Sequence, residues 1–300
     1  MEGHTAAAAV AGFLTAGAGF GERLGGHRGA MDGQPLSPAL IETRRVMTEE
    51  ARSFVDAARD RGVVLRLLGG LAVHEHCAGL AACRRDHADV DLVGLRRQME
   101  PVIEVFGRLG FRERLHVRQA TSLGQAQFVR ECVHVDVGGA PAHRDDHVDV
   151  FFDSFNLDHT IDLRSRLELH PYAIPLTDVL ATKLQMHAPE PRDVRDALML
   201  LAASRGPGTG PEEVDPDYLA RLCAHDWGLF YDVSLNVQRC AEALDEVGLS
   251  PAERGRAAGL LVRLTGAVDA APKSLAWRLR AGIGTRRPWY QIVEEQDGTS

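Results

Sequence analysis

The sequence predicts an α/β protein of the α+β type, in which a small mixed sheet is flanked by helices and followed by a helical C-terminal part. Short apolar stretches with strand-like alternation lie between residues 63 and 155, and segments with helical spacing separate them. From Pro175 onward the pattern is nearly all helical. We therefore expect a disordered tail over residues 1–37, a core over 38–188 and a helical region over 189–300.

Composition is compatible with this fold and excludes some classes of protein. The chain has 300 residues, of which 45% are hydrophobic and 25% charged, so it can bury a large core. A net charge of −8 argues against a strongly basic protein that coats nucleic acid. Five cysteines without a Cys-x-x-Cys pair predict reduced thiols and a cytoplasmic location. The apolar segment 6–20 is too short to span a bilayer, so we expect no membrane association.

The first half of the core alternates helices and strands. A helix is predicted to begin near Pro38 and to close at Arg61-Gly62, because apolar residues recur at helical spacing between them. The next apolar strand runs into Gly69-Gly70, which open a second helix. The elements expected in this part are a strand over 63–68, a helix over 71–82, a strand over 88–93 and a helix over 99–109.

The second half of the core is predicted to contain antiparallel strands. Alternating apolar and polar residues give three of them, at Gln125–Arg130, Cys132–Val137 and His147–Phe152. A helix begins near Leu176, and the turn-rich segment Ser204–Pro211 interrupts the helices that follow.

Two carboxylates at a spacing of two, Asp89 and Asp91, lie in the predicted strand over 88–93. Because successive side chains of a strand alternate, both carboxylates emerge on the same face. They repel each other there unless a cation lies between them, and Mg²⁺ prefers such oxygen ligands. The glycines at 69 and 70 let backbone N–H groups approach a phosphate beside a helix N-terminus. The combination predicts phosphate and metal chemistry.

The order of these motifs resembles the nucleotidyltransferase superfamily of the DNA polymerase beta type. Its core motif is a Gly-Gly or Gly-Ser turn, then Asp-x-Asp, then a third carboxylate on a later strand. Gly69-Gly70 corresponds to the turn, and Asp89 with Asp91 corresponds to the pair. The segments that contain Lys183 and Asp193 are similar to those of abortive-infection-type toxin nucleotidyltransferases.

The third carboxylate has two candidates, Asp149 and Asp136. Asp149 lies in the longer apolar stretch His147–Phe152, as expected of a central strand. Asp136 precedes Gly138-Gly139, which indicates a strand that ends in a turn. Asp149 is therefore preferred.

The resemblance implies transfer of a nucleoside monophosphate from an NTP, ATP among the candidates, to an acceptor hydroxyl by two-metal catalysis. It places the catalytic acids and ligands of two Mg²⁺ ions at Asp89, Asp91 and Asp149, and the nucleotide contacts at Gly69, Gly70, Lys183 and Arg85. The acceptor stays open between tRNA or another RNA, a small hydroxyl compound and a protein side chain. A cognate antitoxin is a further partner that the resemblance implies.

The same residues admit other interpretations. The main alternative is a catalytically inactive relative that binds nucleotide or a partner. Asp89–Val93 also fits the haloacid-dehalogenase-like phosphatases, but the preceding Arg84–Ala88 lacks the apolar strand that this family needs. Zinc ligands could be formed by two groups of histidines, His74-Glu75-His76 and the pair His143 and His147. Neither group forms the His-Glu-x-x-His motif of zinc enzymes. These histidines are expected to be solvated or satisfied in the core.

Overall fold

The computed structural model describes residues 38–83, 89–121, 124–135 and 141–290. Within these ranges the predicted fold class is confirmed: a five-stranded mixed sheet and a two-stranded hairpin are combined with ten α-helices. The tail expected over residues 1–37 lies outside the described residues, as do Arg85 and Asp136.

Helices and strands alternate up to residue 135, three further strands follow up to residue 162, and helices are the regular elements of the described chain after that. The helices are α1 (Pro38–Arg59), α2 (Gly69–Cys77), α3 (Met99–Arg108), α4 (Leu115–Ala120), α5 (Leu176–Leu184), α6 (Pro191–Ala203), α7 (Pro216–His225), α8 (Trp227–Ala243), α9 (Pro251–Ala270) and α10 (Leu275–Ile283). The strands are β1 (Leu65–Leu67), β2 (Val90–Gly94), β3 (Arg112–Glu113), β4 (Gln125–Val135), β5 (Pro141–Phe152), β6 (Ser154–Asn156) and β7 (Thr160–Asp162).

The five-stranded sheet has the order β1-β2-β5-β4-β3. Strands β2 and β5 are parallel, and the other neighbours are antiparallel. The prediction of two separate strands over 125–130 and 132–137 is wrong, because β4 is continuous through Glu131, which is exposed and pairs with Asp145 of β5. In this sheet β5, the last of its five strands along the chain, lies between β2 and β4.

One face of this sheet belongs to the hydrophobic core. Val90 and Leu92 of β2 are buried beside Val148 and Val150 of β5. On β4, Phe128 is in register with Val148 and stacks on Phe106 of α3, with ring centroids 4.4 Å apart. Because side chains alternate along a strand, the residues between these positions point to the opposite face.

The helices after β7 continue the same core. Helix α2 packs against α5 and α6, and buried residues from both sides of position 188 belong to one hydrophobic cluster. The domain boundary expected near residue 188 stays a prediction. Strand β3, the short helix α4 and the hairpin β6–β7 were not predicted, and the helix expected over 71–82 ends at Cys77.

Two further expectations concern cysteines and membranes. Cys77, Cys83, Cys223 and Cys240 form no disulfide. Across the described ranges, no helix combines the length and the hydrophobicity that crossing a bilayer requires.

Candidate active site

Asp91 and Asp149 occupy paired positions on the parallel strands β2 and β5. Paired side chains of neighbouring strands point to the same face, about 5 Å apart. Asp89 directly precedes β2, and its Oδ1 lies 3.0 Å from Nε2 of His147. The structure thus brings the three predicted acids together on the face of the sheet that lies opposite to the core.

Gly69 holds the first turn of α2 against Asp91. Its φ is +59°, and a Cβ built on it would overlap Oδ2 of Asp91. The N–H of Leu68 donates to the carbonyl oxygen of Asp91 at 2.9 Å, which ties the turn to β2. Gly70 follows in the first turn of α2. The positive end of the α2 dipole therefore lies beside the acidic face, as the sequence pattern predicts.

The electrostatics of the three acids show a shortage of positive charge. The pKa of Asp91 is raised to about 6, first by burial and then by the neighbouring charges of Asp149 and Asp89, against the opposing effects of Lys183 and His147. Burial also raises the pKa of Asp149. His147 has a raised pKa, chiefly because its side chain hydrogen-bonds to Asp89. A bound cation would relieve this repulsion.

Two amides on β4 hold the third carboxylate, and sequence reasoning missed both. Nε2 of Gln125 and Nε2 of Gln127 each donate to Oδ1 of Asp149 at 3.0 Å. These bonds lower the pKa of Asp149 and so oppose the effect of its burial. The available signal was two glutamines at a spacing of two in a predicted strand, but it acquires meaning only once β4 is known to pair with β5.

Lys183 is buried and lies between two carboxylates of α6. Its Nζ is 2.8 Å from Oδ1 of Asp193 and 3.0 Å from Oδ2 of Asp196. The sequence predicted an ammonium that leaves the apolar side of α5 and did not single out Asp196. Asp193 also accepts the N–H of Glu190 at 3.2 Å, in a capping box at the start of α6. The positive charge of Lys183 still lowers the pKa of Asp91, so its field reaches the acidic face.

The oxygen donors of the acidic face suit Mg²⁺. Asp89, Asp91 and Asp149 together offer carboxylates on one face, and hard divalent cations prefer such ligands. The clustering of two raised pKa values beside a glycine turn is also typical of a functional site. The residues present therefore fit the predicted magnesium site.

A second group with metal-binding side chains consists of His76, His170 and Glu212, whose ligand atoms all lie within 4.8 Å of one another. Nδ1 of His170 accepts the N–H of Ala173 at 2.9 Å, so its proton is on Nε2, which donates to Glu212 at 2.9 Å. Nε2 of His76 bonds the carbonyl oxygen of Ile174. This group is therefore satisfied by hydrogen bonds, as expected of core histidines.

Comparison with solved structures finds nucleotidyltransferases. The antibiotic-resistance factor ANT(2'')-Ia, an aminoglycoside nucleotidyltransferase, matches with 12% identity and a TM-score of 0.30 over 52% of this chain and 82% of its own. An antigenic nucleotidyltransferase-like protein from Paracoccidioides brasiliensis matches with 13% identity and a TM-score of 0.36 over 72% of this chain and 96% of its own. No protein-family model and no curated protein sequence matches the chain. Because both TM-scores are low, these likenesses assign no function to this chain.

The raised pKa of Asp91 predicts a dependence of stability on pH. Folding raises this pKa from 3.8 to about 6, so the native state binds the proton more tightly than the unfolded chain between these values. The free energy of unfolding should therefore fall as the pH rises through this window. We expect the stability advantage of Asp91→Asn over wild type to grow by about 1–3 kcal/mol from pH 4 to pH 6 and then to level off.

Urea unfolding at several pH values without divalent cations measures this difference. The matched control is Asp60→Asn, an exposed carboxylate at the end of α1, whose difference from wild type should stay nearly constant over the same window. An advantage of Asp91→Asn that is independent of pH would show that the Asp91 carboxyl titrates normally.

Replacing Gly69 by alanine tests the close approach to Asp91. Gly62 also has a positive φ, +70°, but no atom lies within 4 Å of a Cβ built there. Gly62→Ala should therefore cost only the backbone strain, about 1–2 kcal/mol. Gly69→Ala should cost more because it adds the overlap with Asp91, and most of the excess should vanish in an Asp91→Ala background. Equal costs for the two glycines in urea unfolding would contradict the contact.

Proposed function

We propose that this protein transfers a nucleoside monophosphate from an NTP to an acceptor hydroxyl, and that Asp89, Asp91 and Asp149 hold two Mg²⁺ ions. The observation that carries the proposal is the register of Asp91 with Asp149, beside a glycine turn packed on Asp91. This arrangement combines carboxylates for a cation with a helix N-terminus for a phosphate.

The bound ions would supply Lewis-acid stabilisation of the phosphate oxygens and activation of the acceptor hydroxyl. In the reaction, the acceptor oxygen forms a bond to the α-phosphorus, and the bond from that phosphorus to the pyrophosphate oxygen breaks. Gly69 and Gly70 would contact the triphosphate through their N–H groups, since side chains there would obstruct it. Asp149 would hold the acceptor side of the site.

Lys183 is proposed to neutralise negative charge on the departing pyrophosphate. An ammonium has three N–H donors, and the carboxylates of Asp193 and Asp196 engage two of them. The third donor is the one that a phosphate oxygen would accept from. Arg85 is proposed as a further nucleotide contact, and this role is supported by the family resemblance.

The acceptor molecule defines the biological role, and three classes of acceptor are proposed. An RNA end such as tRNA, a small hydroxyl compound and a protein side chain all provide the required nucleophile. The resemblance to toxin nucleotidyltransferases supports a cognate antitoxin as a partner. The five cysteines without a Cys-x-x-Cys pair support a cytoplasmic location. The second candidate function is nucleotide binding without transfer, and the specific observation that favours it is the pairing of Lys183 with two buried acids.

Transfer of label tests the proposed function. Purified protein is incubated with each α-³²P NTP, Mg²⁺ and either total tRNA or a panel of small hydroxyl compounds. Asp91→Asn and Asp149→Asn are each expected to lose about a hundredfold or more in rate, because removing a ligand charge weakens the electrostatic stabilisation of the transition state. Asp60→Asn is the control that should keep the wild-type rate, and EDTA should abolish labelling.

The outcomes separate the candidates. Full activity of Asp91→Asn, or labelling that persists in EDTA, would overturn the assignment of the acids. Nucleotide binding that depends on Mg²⁺, with no transfer to any acceptor, would favour the inactive relative.

A further inference from the structure

Polar side chains from four neighbouring segments form a row across the sheet. Asp91 of β2 is in register with Asp149 of β5, which is in register with Gln127 of β4. The row continues to Arg114, just after β3, whose N–H donates to the carbonyl oxygen of Gln127 at 2.8 Å. Each member therefore lies beside the next one across the sheet, and the row ends at the proposed magnesium site.

The amide of Gln127 has a defined orientation within this row. Nη1 of Arg114 donates to Oε1 of Gln127 at 3.0 Å. Because a guanidinium can only donate, this contact requires the amide oxygen on its side and turns the amide nitrogen toward Asp149. That nitrogen donates to Oδ1 of Asp149 at 3.0 Å. An amide rotated by half a turn would place its oxygen against the carboxylate.

Both donated bonds reach the same oxygen of Asp149. Gln125 adds its own bond to Oδ1 at 3.0 Å, so the two amides together fix the plane of the carboxylate. Neither of these amides bonds to Oδ2. Oδ2 is therefore the oxygen through which Asp149 would bind a cation.

The neutral amide of Gln127 separates the guanidinium of Arg114 from the carboxylate of Asp149, so the carboxylate keeps its negative charge. A guanidinium in direct contact with the carboxylate would neutralise it and would compete with a cation for its oxygens. Gln127 transmits the orientation set by Arg114 but leaves the negative charge on Asp149. Arg114 is nevertheless close enough for its charge to lower the pKa of His147.

We propose that Arg114 and Gln127 are a pair of positioning residues that orient the Asp149 carboxylate and reserve Oδ2 for the cation. The inference rests on the proposed function, because it assigns a role to residues that support the same site. Hydrogen bonds from residues outside the ligand set commonly change metal affinity by about 10–100-fold. The effect should thus appear in metal binding itself and not only in turnover.

Calorimetric titration of the purified full chain with Mg²⁺ tests the pair. Gln127→Leu and Arg114→Met should each weaken Mg²⁺ binding by about tenfold or more. The double variant should be no weaker than the weaker single variant, because both changes interrupt one chain of contacts. Arg114→Lys keeps a donor and the charge, so it should restore most of the affinity. Arg112→Met removes an equal charge from an exposed position of β3 and should bind Mg²⁺ as wild type does.

Other results overturn the pair. Unchanged Mg²⁺ affinity in both single variants, or losses that multiply in the double variant, would show that the row does not position Asp149. The same loss in Arg112→Met would show that the effect of Arg114 does not depend on its contact with Gln127, because losing a positive charge does not by itself weaken the binding of a cation. Thermal unfolding of each variant without Mg²⁺ identifies a loss of affinity that is caused by misfolding, and Arg114→Lys then supplies the decisive comparison.

The same titration separates this inference from the proposed function. Wild type that binds Mg²⁺ but transfers no nucleotide contradicts the function and leaves the positioning pair testable by metal affinity. Normal transfer with variants that bind Mg²⁺ as wild type contradicts only the pair. Wild type that binds no Mg²⁺, with or without a non-hydrolysable nucleotide, contradicts both.

Discussion

The register between β2 and β5 is the constraint on which the candidate site depends. It places Asp91 beside Asp149 on one face and packs Val90 and Val148 into the core on the other. A slip of one residue in this pairing would turn the acids toward the core and expose the valines, at a large cost in hydrophobic burial. The hydrophobic pattern that stabilises the sheet therefore also fixes the geometry of the acids.

The three acids concentrate negative charge on one face of the sheet, which is unfavourable, and neighbouring groups offset part of this repulsion. The positive end of α2 approaches Asp91 through Gly69, where any larger residue would overlap the carboxylate. The amides from β4 stabilise Asp149, and the buried charge of Lys183 acts on Asp91 from the side of α5. These contacts orient the acids without neutralising them, which is the condition that a site for divalent cations requires.

Local sequence patterns predicted the parts of the site that lie close together along the chain. The glycine turn at the start of α2 and the acids at a spacing of two are both local features. The preference for Asp149 used its apolar context, and the structure places it in register with Asp91, although its role stays a prediction. Gln127 and Arg114 could not be found this way, because their meaning depends on β5 lying between β2 and β4. Likewise, the burial of Lys183 depends on the two acids that the next helix, α6, packs against it.

The location of a bound cation tests the central claim most directly. Crystals of the full chain grown with Mn²⁺ and a non-hydrolysable NTP analogue would show the metal by anomalous scattering. We expect manganese in contact with Asp91 and Asp149, and triphosphate against the first turn of α2. Manganese bound instead by His76, His170 and Glu212, or nucleotide bound away from the acids, would contradict this expectation.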